Sequence, residues 1–120
     1  MPQENNKDLS IIIPVYNEEY FLNTLFSDLI KNFNKEDVEI IIVDDGSTDN
    51  SPKIIKEFED SKKYIFSFKK ITFAKNSGKG KALQEGIKKS EGEYLLLQDA
   101  DLELDTKDSK EMYQMIKNNK

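Results

Sequence analysis

Short apolar runs alternate along this chain with stretches in which apolar residues recur at helical spacing. The apolar runs are rich in β-branched residues and lack polar alternation, which is typical of strands buried on both faces of a parallel sheet. Four segments predict strands on this basis: 9–15 (LSIIIPV), 38–43 (VEIIIV), a segment near 70–74, and 93–98 (EYLLLQ). The third strand is placed late because Lys69 and Lys70 interrupt the apolar run of residues 64–74.

The stretches between these strands predict amphipathic helices. Apolar residues recur at three- and four-residue spacing over residues 18–33, and the acidic start of this segment, Glu18 and Glu19, suits the positive end of a helix dipole. Pro52 is placed to begin a second helix, and Thr106 can cap a last one. The chain therefore alternates strand and helix from end to end.

This alternation predicts an α/β fold, a three-layer sandwich in which helices cover both faces of a mostly parallel sheet. Ligands of such sheets bind beyond the carboxyl ends of the strands. The unusual polar groups of the chain all follow predicted strand ends: 16–18 (YNE), 44–45 (DD), 76–81 (NSGKGK) and 99–101 (DAD). We therefore expect these groups to converge on one edge of the sheet.

The residue types that the chain lacks limit its chemistry. Its 120 residues include no Cys, His or Trp, and all 18 basic residues are Lys. Disulfides, zinc sites of the Cys/His type, thiol nucleophiles, His-based triads and arginine fingers are therefore excluded within it. A site made of carboxylates, amides, hydroxyls and lysines suits hard cations such as Mg²⁺ or Mn²⁺ and the phosphates that accompany them.

Charge and hydropathy bear on two further classes. The net charge of −5 and the isoelectric point of about 4.8 give no electrostatic support for a nucleic-acid-binding face. No stretch approaches the roughly 18 apolar residues of a membrane span, and residues 1–8 lack the apolar core of a signal peptide. We expect a cytoplasmic protein in which residues 1–8 are a polar lead-in to a domain over 9–120.

Asp99 and Asp101 place two carboxylates two residues apart where a buried strand ends, so an extended backbone turns both to the same side. Two such groups in one cleft repel each other unless a cation joins them. A divalent ion bound there would keep positions open for water and diphosphate oxygens, and Glu103 is placed to be a third ligand. The alternative interpretation is a solvated acidic turn that caps the last helix.

Two further segments also allow a functional and an ordinary interpretation. Asp44 and Asp45 can accept hydrogen bonds from a nucleobase or a ribose hydroxyl, but an Asp-Gly turn before a helix has the same sequence. In residues 76–81, glycines allow the backbone to approach a phosphate, and Lys79 and Lys81 supply positive charge. Because this segment matches neither the Walker nor the G-x-G-x-x-G pattern, an ordinary loop is the alternative.

Taken together, four segments resemble the nucleotide-binding half of the family-2 inverting glycosyltransferases, which have the GT-A fold. The segments are SIIIPVYNEE (10–19), EIIIVDDGSTDNS (39–51), KNSGKGKALQEGI (75–87) and GEYLLLQDADLELD (92–105). They follow the order and separations of the family and cover nearly the whole chain after Asp8. The combination of GKG and DADLE is most similar to polyprenol-phosphate sugar transferases, such as dolichyl-phosphate mannose or glucose synthases.

The resemblance implies a strand order of 3-2-1-4, a UDP- or GDP-sugar as donor, and an acceptor such as a polyprenyl phosphate at the cytoplasmic face of a membrane. The residues that it implies at the nucleotide are Pro14, Tyr16, Glu18, Asp44, Asp45, Lys79 and Asp99. The residues that it implies at a Mn²⁺ or Mg²⁺ ion are Asp99, Asp101 and Glu103. No residue of the chain is identifiable as a general base.

The family continues past this point with the half that binds the acceptor. We therefore expect residues 9–120 to be a domain truncated at its C-terminus, without full transferase activity alone. A fourth strand left at the sheet edge predicts self-association.

The alternative function is that of a response-regulator receiver domain, which is phosphorylated on an aspartate. The segments IIIVDDGS and YLLLQDADL resemble the acidic pair and the phospho-accepting Asp of such a domain, which follow different strands. In a receiver, however, the acidic pair follows the first strand, whereas the strand at 9–15 precedes it here.

Overall fold

The computed structural model describes residues 7–101 and 106–119, which form four strands and four helices in strict alternation. In chain order the elements are β1 (Leu9–Val15), α1 (Leu22–Phe33), β2 (Val38–Asp44), α2 (Ser51–Ser61), β3 (Ser67–Thr72), α3 (Lys79–Lys89), β4 (Tyr94–Leu97) and α4 (Thr106–Asn118). All strand pairs are parallel, and the order across the sheet is β3-β2-β1-β4. The predicted fold class and strand order are confirmed.

The two central strands are buried on both faces, which explains their unbroken apolar runs. One face of the sheet packs against α1, α2 and α4 in a large core whose β1 and β2 members include Ile11, Ile13, Ile40 and Ile42. The opposite face presents Ile12, Ile41 and Val43 to Ala82 of α3. These two cores make the three layers.

Helix α3 lies unusually close to the sheet because Gly86 has no side chain. A Cβ atom at this position would lie 2.4 Å from Cγ2 of Ile12. This contact fixes α3 over the centre of the sheet, so its first turn is held near the carboxyl ends of β1 and β2.

Three predicted segments have bounds that were wrong by more than one residue. Helix α1 begins at Leu22 rather than Glu18, because residues 18–21 form turns in which Phe21 N and Leu22 N donate to the Glu18 carbonyl. Strand β3 spans Ser67–Thr72 rather than 70–74. Finally, the predicted loop 76–81 ends at Gly78, and its last three residues form the first turn of α3.

Lys69 and Lys70 explain why the prediction placed β3 too late in the sequence. Both lie within the strand and direct their ammonium groups to carboxylates, Lys69 to Glu39 at 2.7 Å and Lys70 to Glu59 at 3.0 Å. A lysine can cover an apolar surface with its stem while its charge stays at the rim, so it does not interrupt an edge strand.

At the amino ends of the strands, a hydrogen-bonded group of four residues ties β1, β2, β3 and the turn before β4 together. This amino-end network consists of Ser10, Glu39, Lys69 and Glu91. Glu39 Oε1 accepts from Ser10 Oγ at 2.6 Å and from Glu91 N at 2.9 Å, and Glu39 Oε2 pairs with Lys69. Burial opposes ionisation of Glu39, but hydrogen bonds from Lys69, Ser10 and Glu91 outweigh it and lower the pKa.

The amino end of the described chain also connects to the start of β4. Lys7 and Asp8, the last residues of the predicted lead-in, accept backbone hydrogen bonds from Glu93 N and Tyr94 N.

Strand β4 lies at one edge of the described sheet, so self-association through that edge stays a prediction. None of the helices within residues 7–101 and 106–119 is long and apolar enough to cross a bilayer.

Candidate functional site

A cavity of about 340 Å³ opens at the carboxyl ends of the strands, where the polar segments were expected to converge. Its walls come from four separate loops, after β1, β2, β3 and β4. The lining residues are Pro14, Val15, Tyr16, Glu18, Asp45, Asn76, Gly78, Lys79, Asp99, Ala100 and Asp101. Of the predicted site residues, Asp44 lies outside this lining, and Glu103 lies outside the described residues.

The loop after β1 is held by Asn17, which adopts a left-handed conformation with φ of 54°. Its backbone N–H donates to Ser47 Oγ at 2.9 Å, and its Oδ1 accepts from Thr48 N at 2.7 Å and Asp49 N at 3.2 Å. Asn tolerates this conformation better than most residues because its short side chain bonds to nearby backbone. The contacts fasten the loop after β1 to the loop after β2.

Further contacts between the same loops set the position of Glu18. Glu18 N donates to Ser51 Oγ at 2.9 Å, and Glu19 N donates to Asp49 Oδ2 at 3.2 Å. These two N–H groups are therefore used outside a helix, which is consistent with α1 beginning only at Leu22. Burial raises the pKa of Glu18, and the nearby carboxylates of Asp101, Asp49 and Asp99 raise it further. The cavity thus concentrates negative charge.

Asp44 and Asp45 have different roles in the turn after β2, although both are buried. Asp44 Oδ1 accepts from Ser47 N at 3.0 Å, which closes the turn. Asp45 instead points to the loop after β3: its Oδ1 accepts from Ser77 N at 2.6 Å, and its Oδ2 accepts from Gly78 N at 2.9 Å and Asn76 Nδ2 at 3.0 Å. Asp45 therefore organises the glycine-rich loop.

Gly46 allows this contact between loops to form. It has a φ of 73°, and a Cβ atom at its position would lie 2.3 Å from the carbonyl carbon of Lys75 and 2.4 Å from the backbone nitrogen of Asn76. Both the backbone conformation and the close approach exclude a side chain. Gly78 has a φ of 105° but open space around it, so glycine is needed there for conformation alone.

Lys79 is the cation of the cavity. Its Nζ lies 2.7 Å from Asp99 Oδ1, with the Lys79 side chain 62% exposed and that of Asp99 26% exposed. Lys81, predicted with it to supply positive charge, is instead paired with Glu85 one turn along α3 at 3.5 Å, outside the lining of the cavity. Of the two lysines, only Lys79 is placed to meet a ligand.

The described residues fit a divalent cation by their chemistry. Asp99 and Asp101 present carboxylates to one cavity, and a positive group, the Lys79 ammonium, already lies against Asp99. Within residues 7–101 and 106–119 no three acidic side chains are grouped closely enough to hold an ion. Mg²⁺-type ions commonly take only one or two carboxylates and complete their shell with water and phosphate oxygens. Two carboxylates are therefore a sufficient donor set for this kind of ion.

The comparison with known families decides the assignment. The profile of Glycosyl transferase family 2 matches residues 10–120. This chain belongs to glycosyl transferase family 2. The resemblance drawn from its four segments is thereby confirmed, and the receiver-domain alternative has no support.

Individual relatives include dolichyl-phosphate glucosyltransferases, which belong to the branch of the family predicted from GKG and DADLE. The chain is 38% identical over 111 residues to a dolichyl-phosphate beta-glucosyltransferase of Dictyostelium discoideum, a match that covers 87% of this chain and 34% of the relative. It is 43% identical over 101 residues to the dolichyl-phosphate beta-glucosyltransferase of Saccharomyces cerevisiae, covering 78% and 29% of the two chains. The chain thus spans about a third of the length of these relatives.

Solved structures of glycosyltransferases share the fold. S. aureus TarS 1–349 in complex with UDP superposes with a TM-score of 0.77 at 28% identity, over 92% of this chain and 32% of that chain. The mannosyltransferase PcManGT of Pyrobaculum calidifontis, in complex with GDP-Man and Mn²⁺, gives a TM-score of 0.72 at 21% identity, over 84% and 30% of the two chains. The second likeness shows the fold alone.

The sequence pattern does not single out Asn17, which holds the loop after β1 beside the cavity. It indicates Asn17 only as a member of segment 16–18, whereas Asn17 makes the main contacts between the loops after β1 and β2. The available signal was an Asn directly after a buried strand, where a left-handed residue often turns the chain. Asn76 and Gly78 were anticipated only as members of a glycine-rich loop.

Proposed function

We propose that this family-2 domain binds the nucleoside diphosphate part of a UDP- or GDP-sugar in the cavity at the carboxyl ends of the strands. The observation that carries the proposal is the convergence of four loops, each from a different strand, on one polar cavity. Ligands of parallel α/β sheets bind at this edge. A long donor molecule also needs separate contacts for base, ribose and phosphates, which four loops can supply.

In this proposal the loops divide the nucleotide between them. The segment Pro14 to Glu18 and the turn at Asp45 face the base and ribose, and Asp44 supports Asp45 from within the turn. Lys79, at the start of α3, faces the diphosphate. A flexible ammonium on a long stem is well suited to phosphate oxygens that shift position as the bond to the sugar breaks.

Asp99 and Asp101 would hold a Mn²⁺ or Mg²⁺ ion, and Glu103 is proposed to assist them. When bound, such an ion offsets the negative charge that grows on a departing nucleoside diphosphate. The acidic lining of the cavity supports this role, because a diphosphate would meet strong repulsion from Glu18, Asp99 and Asp101 without added positive charge.

For the complete protein we propose transfer of the sugar, with inversion, to a lipid phosphate at the cytoplasmic face of a membrane. Two relatives named dolichyl-phosphate beta-glucosyltransferase support this class of acceptor. A phosphate acceptor arrives already ionised, so it needs no general base.

Calorimetric titration with UDP and with GDP, each with and without Mn²⁺, tests the binding proposal. We expect heat from one of them with Mn²⁺, and Asp99→Asn should weaken that binding by about tenfold or more, since even residues one step removed from a metal cost about that much. Asp108→Asn is the matched control, because Asp108 is an exposed residue of α4 outside the cavity. No heat from either nucleotide in a folded sample would refute the proposal.

A further inference from the structure

Lys79 and Asp99 form an ion pair inside the cavity that the donor is proposed to occupy. Lys79 Nζ lies 2.7 Å from Asp99 Oδ1, and both residues belong to the cavity lining. The pair joins the first turn of α3 to the turn after β4, 20 residues apart in sequence. It therefore occupies one of the two oxygens of a carboxylate that a divalent cation would also contact.

An ammonium group and a divalent cation do not share one carboxylate oxygen without cost. The two positive charges would lie within a few ångströms of each other, where their repulsion is strong. Each is attracted to Asp99 for the same reason, so binding of one weakens binding of the other. Lys79 therefore competes with the cation for the Asp99 carboxylate.

The exposure of the Lys79 side chain allows its ammonium group to leave this position. The side chain is 62% exposed, so much of it already lies in solvent. Its backbone, in contrast, is anchored, because Gly78 N donates to Asp45 Oδ2. The ammonium can therefore move while the residue stays at the cavity.

Resting on the proposed function, we propose that Lys79 is an exchangeable counterion: it holds Asp99 when the cavity is empty of ligand and moves to the diphosphate when the cation binds. The exchange makes the cation and the diphosphate bind cooperatively. The cation displaces a positive group from Asp99, and the diphosphate receives that group. Either ligand binds more weakly alone. The cation alone leaves the Lys79 ammonium without an anionic partner, and the diphosphate alone leaves the Asp99 carboxylate without a cationic one.

Binding of Mn²⁺ without nucleotide is the decisive measurement, followed by the paramagnetic resonance signal of free Mn²⁺. Lys79→Gln removes the competitor, so it should bind Mn²⁺ alone about two- to fivefold more tightly than wild type, the effect of losing a partly exposed ion pair. Lys79→Arg keeps the charge and should bind Mn²⁺ no more tightly than wild type. Lys81→Gln is the matched control, since it removes the same charge from the same helix turn outside the cavity. Lys81→Gln should change the affinity for Mn²⁺ by less than about 1.5-fold, because salt screens the interaction between the distant Lys81 charge and the cation.

The second measurement is the affinity for UDP or GDP at saturating Mn²⁺, using the better-binding nucleotide. Here Lys79→Gln should bind about tenfold more weakly than wild type, so one substitution strengthens cation binding and weakens nucleotide binding. A purely structural role for Lys79 would weaken both. Thermal unfolding of each variant confirms that it is folded.

The inference is overturned if Lys79→Gln binds Mn²⁺ alone no better than wild type, including the case in which neither binds detectably. It is also overturned if Lys81→Gln gives the same gain. Failure of the proposed function is a separate result, because it appears as absence of nucleotide binding by the wild-type chain with Mn²⁺ present.

Discussion

The two ends of the sheet each contain a lysine paired with a carboxylate at the same distance, 2.7 Å, but the pairs differ in everything around them. At the amino ends, the Glu39 side chain is fully buried and Lys69 is 35% exposed. At the carboxyl ends, Asp99 is 26% exposed and Lys79 is 62% exposed. Distance alone therefore does not distinguish a structural ion pair from one placed in a binding site.

The difference lies in how the remaining hydrogen-bonding capacity of each carboxylate is used. Glu39 also accepts from Ser10 Oγ and Glu91 N, so its charge is satisfied within the amino-end network. Asp99 faces a cavity that holds other acidic groups and can accept new partners. A buried carboxylate that is ion-paired and hydrogen-bonded within the fold stabilises it, whereas a half-buried one in an acidic cavity is available for a ligand.

The largest expected effect is on stability when the buried carboxylate is removed. Glu39→Ala should lower the free energy of unfolding by about 3 kcal/mol, because Ser10 Oγ and Glu91 N lose their acceptor and Lys69 loses its buried partner. Lys69 keeps its bond to the Lys89 carbonyl and its contact with the Glu91 carboxylate. Asp99→Ala should change it by less than about 1 kcal/mol, the usual value of an exposed pair. Urea unfolding of both variants measures the difference. Equal losses in the two variants would show that the two pairs have the same role.

A smaller effect is expected from the glycines at the two ends. Gly92→Ala should destabilise the protein by about 2 kcal/mol, because the added Cβ would lie 2.5 Å from Ser10 N and 2.6 Å from Ser10 Oγ. Gly80→Ala, in the first turn of α3, meets nothing within 4 Å and should stabilise by about 0.5 kcal/mol through helix propensity. Thermal melts compare the two directly, and destabilisation by both would contradict the prediction.

The smallest expected effect is on the pH dependence of stability. The pKa of Glu39 is lowered from 4.5 in the folded state, so its contribution is present above about pH 4.5 and is lost as the pH falls through the folded pKa. Glu39→Gln should therefore lose less unfolding free energy than wild type on acidification below pH 4.5. Asp60→Asn, which alters an exposed pair with Lys56, is the control and should follow the wild-type profile. Parallel profiles for wild type and Glu39→Gln would be the contrary result.

The fold was predictable because its strongest sequence signals come from residues buried on both faces of a sheet. β1 begins and ends as predicted, and β2 does so within one residue, because the isoleucine-rich runs have no interpretation as exposed segments. β3 was less predictable, because its register depends on where the charges of Lys69 and Lys70 are bound by Glu39 and Glu59. Those partners are distant in sequence and unknown before the chain is folded.

The site was predictable at the level of segments but not of individual contacts. Topology alone brings the four polar segments to one edge, as the lining of the cavity confirms. The different orientations of Asp44 and Asp45 depend on the conformation of one turn, which adjacent identical residues do not reveal. The pairing of Lys81 with Glu85 rather than with the cavity likewise depends on α3 beginning at Lys79.

The missing side chain at Gly46 has a consequence for anyone who wishes to change the nucleotide-sugar that we propose this domain binds. The backbone of Lys75 and Asn76 already fills the space where a Cβ of residue 46 would project. The turn at Gly46 and the loop at Lys75 and Asn76 are therefore complementary in shape. Grafting one of them from another member of the family would bring a backbone contour that does not fit its neighbour. A change of the proposed donor should therefore be attempted by transplanting both segments together.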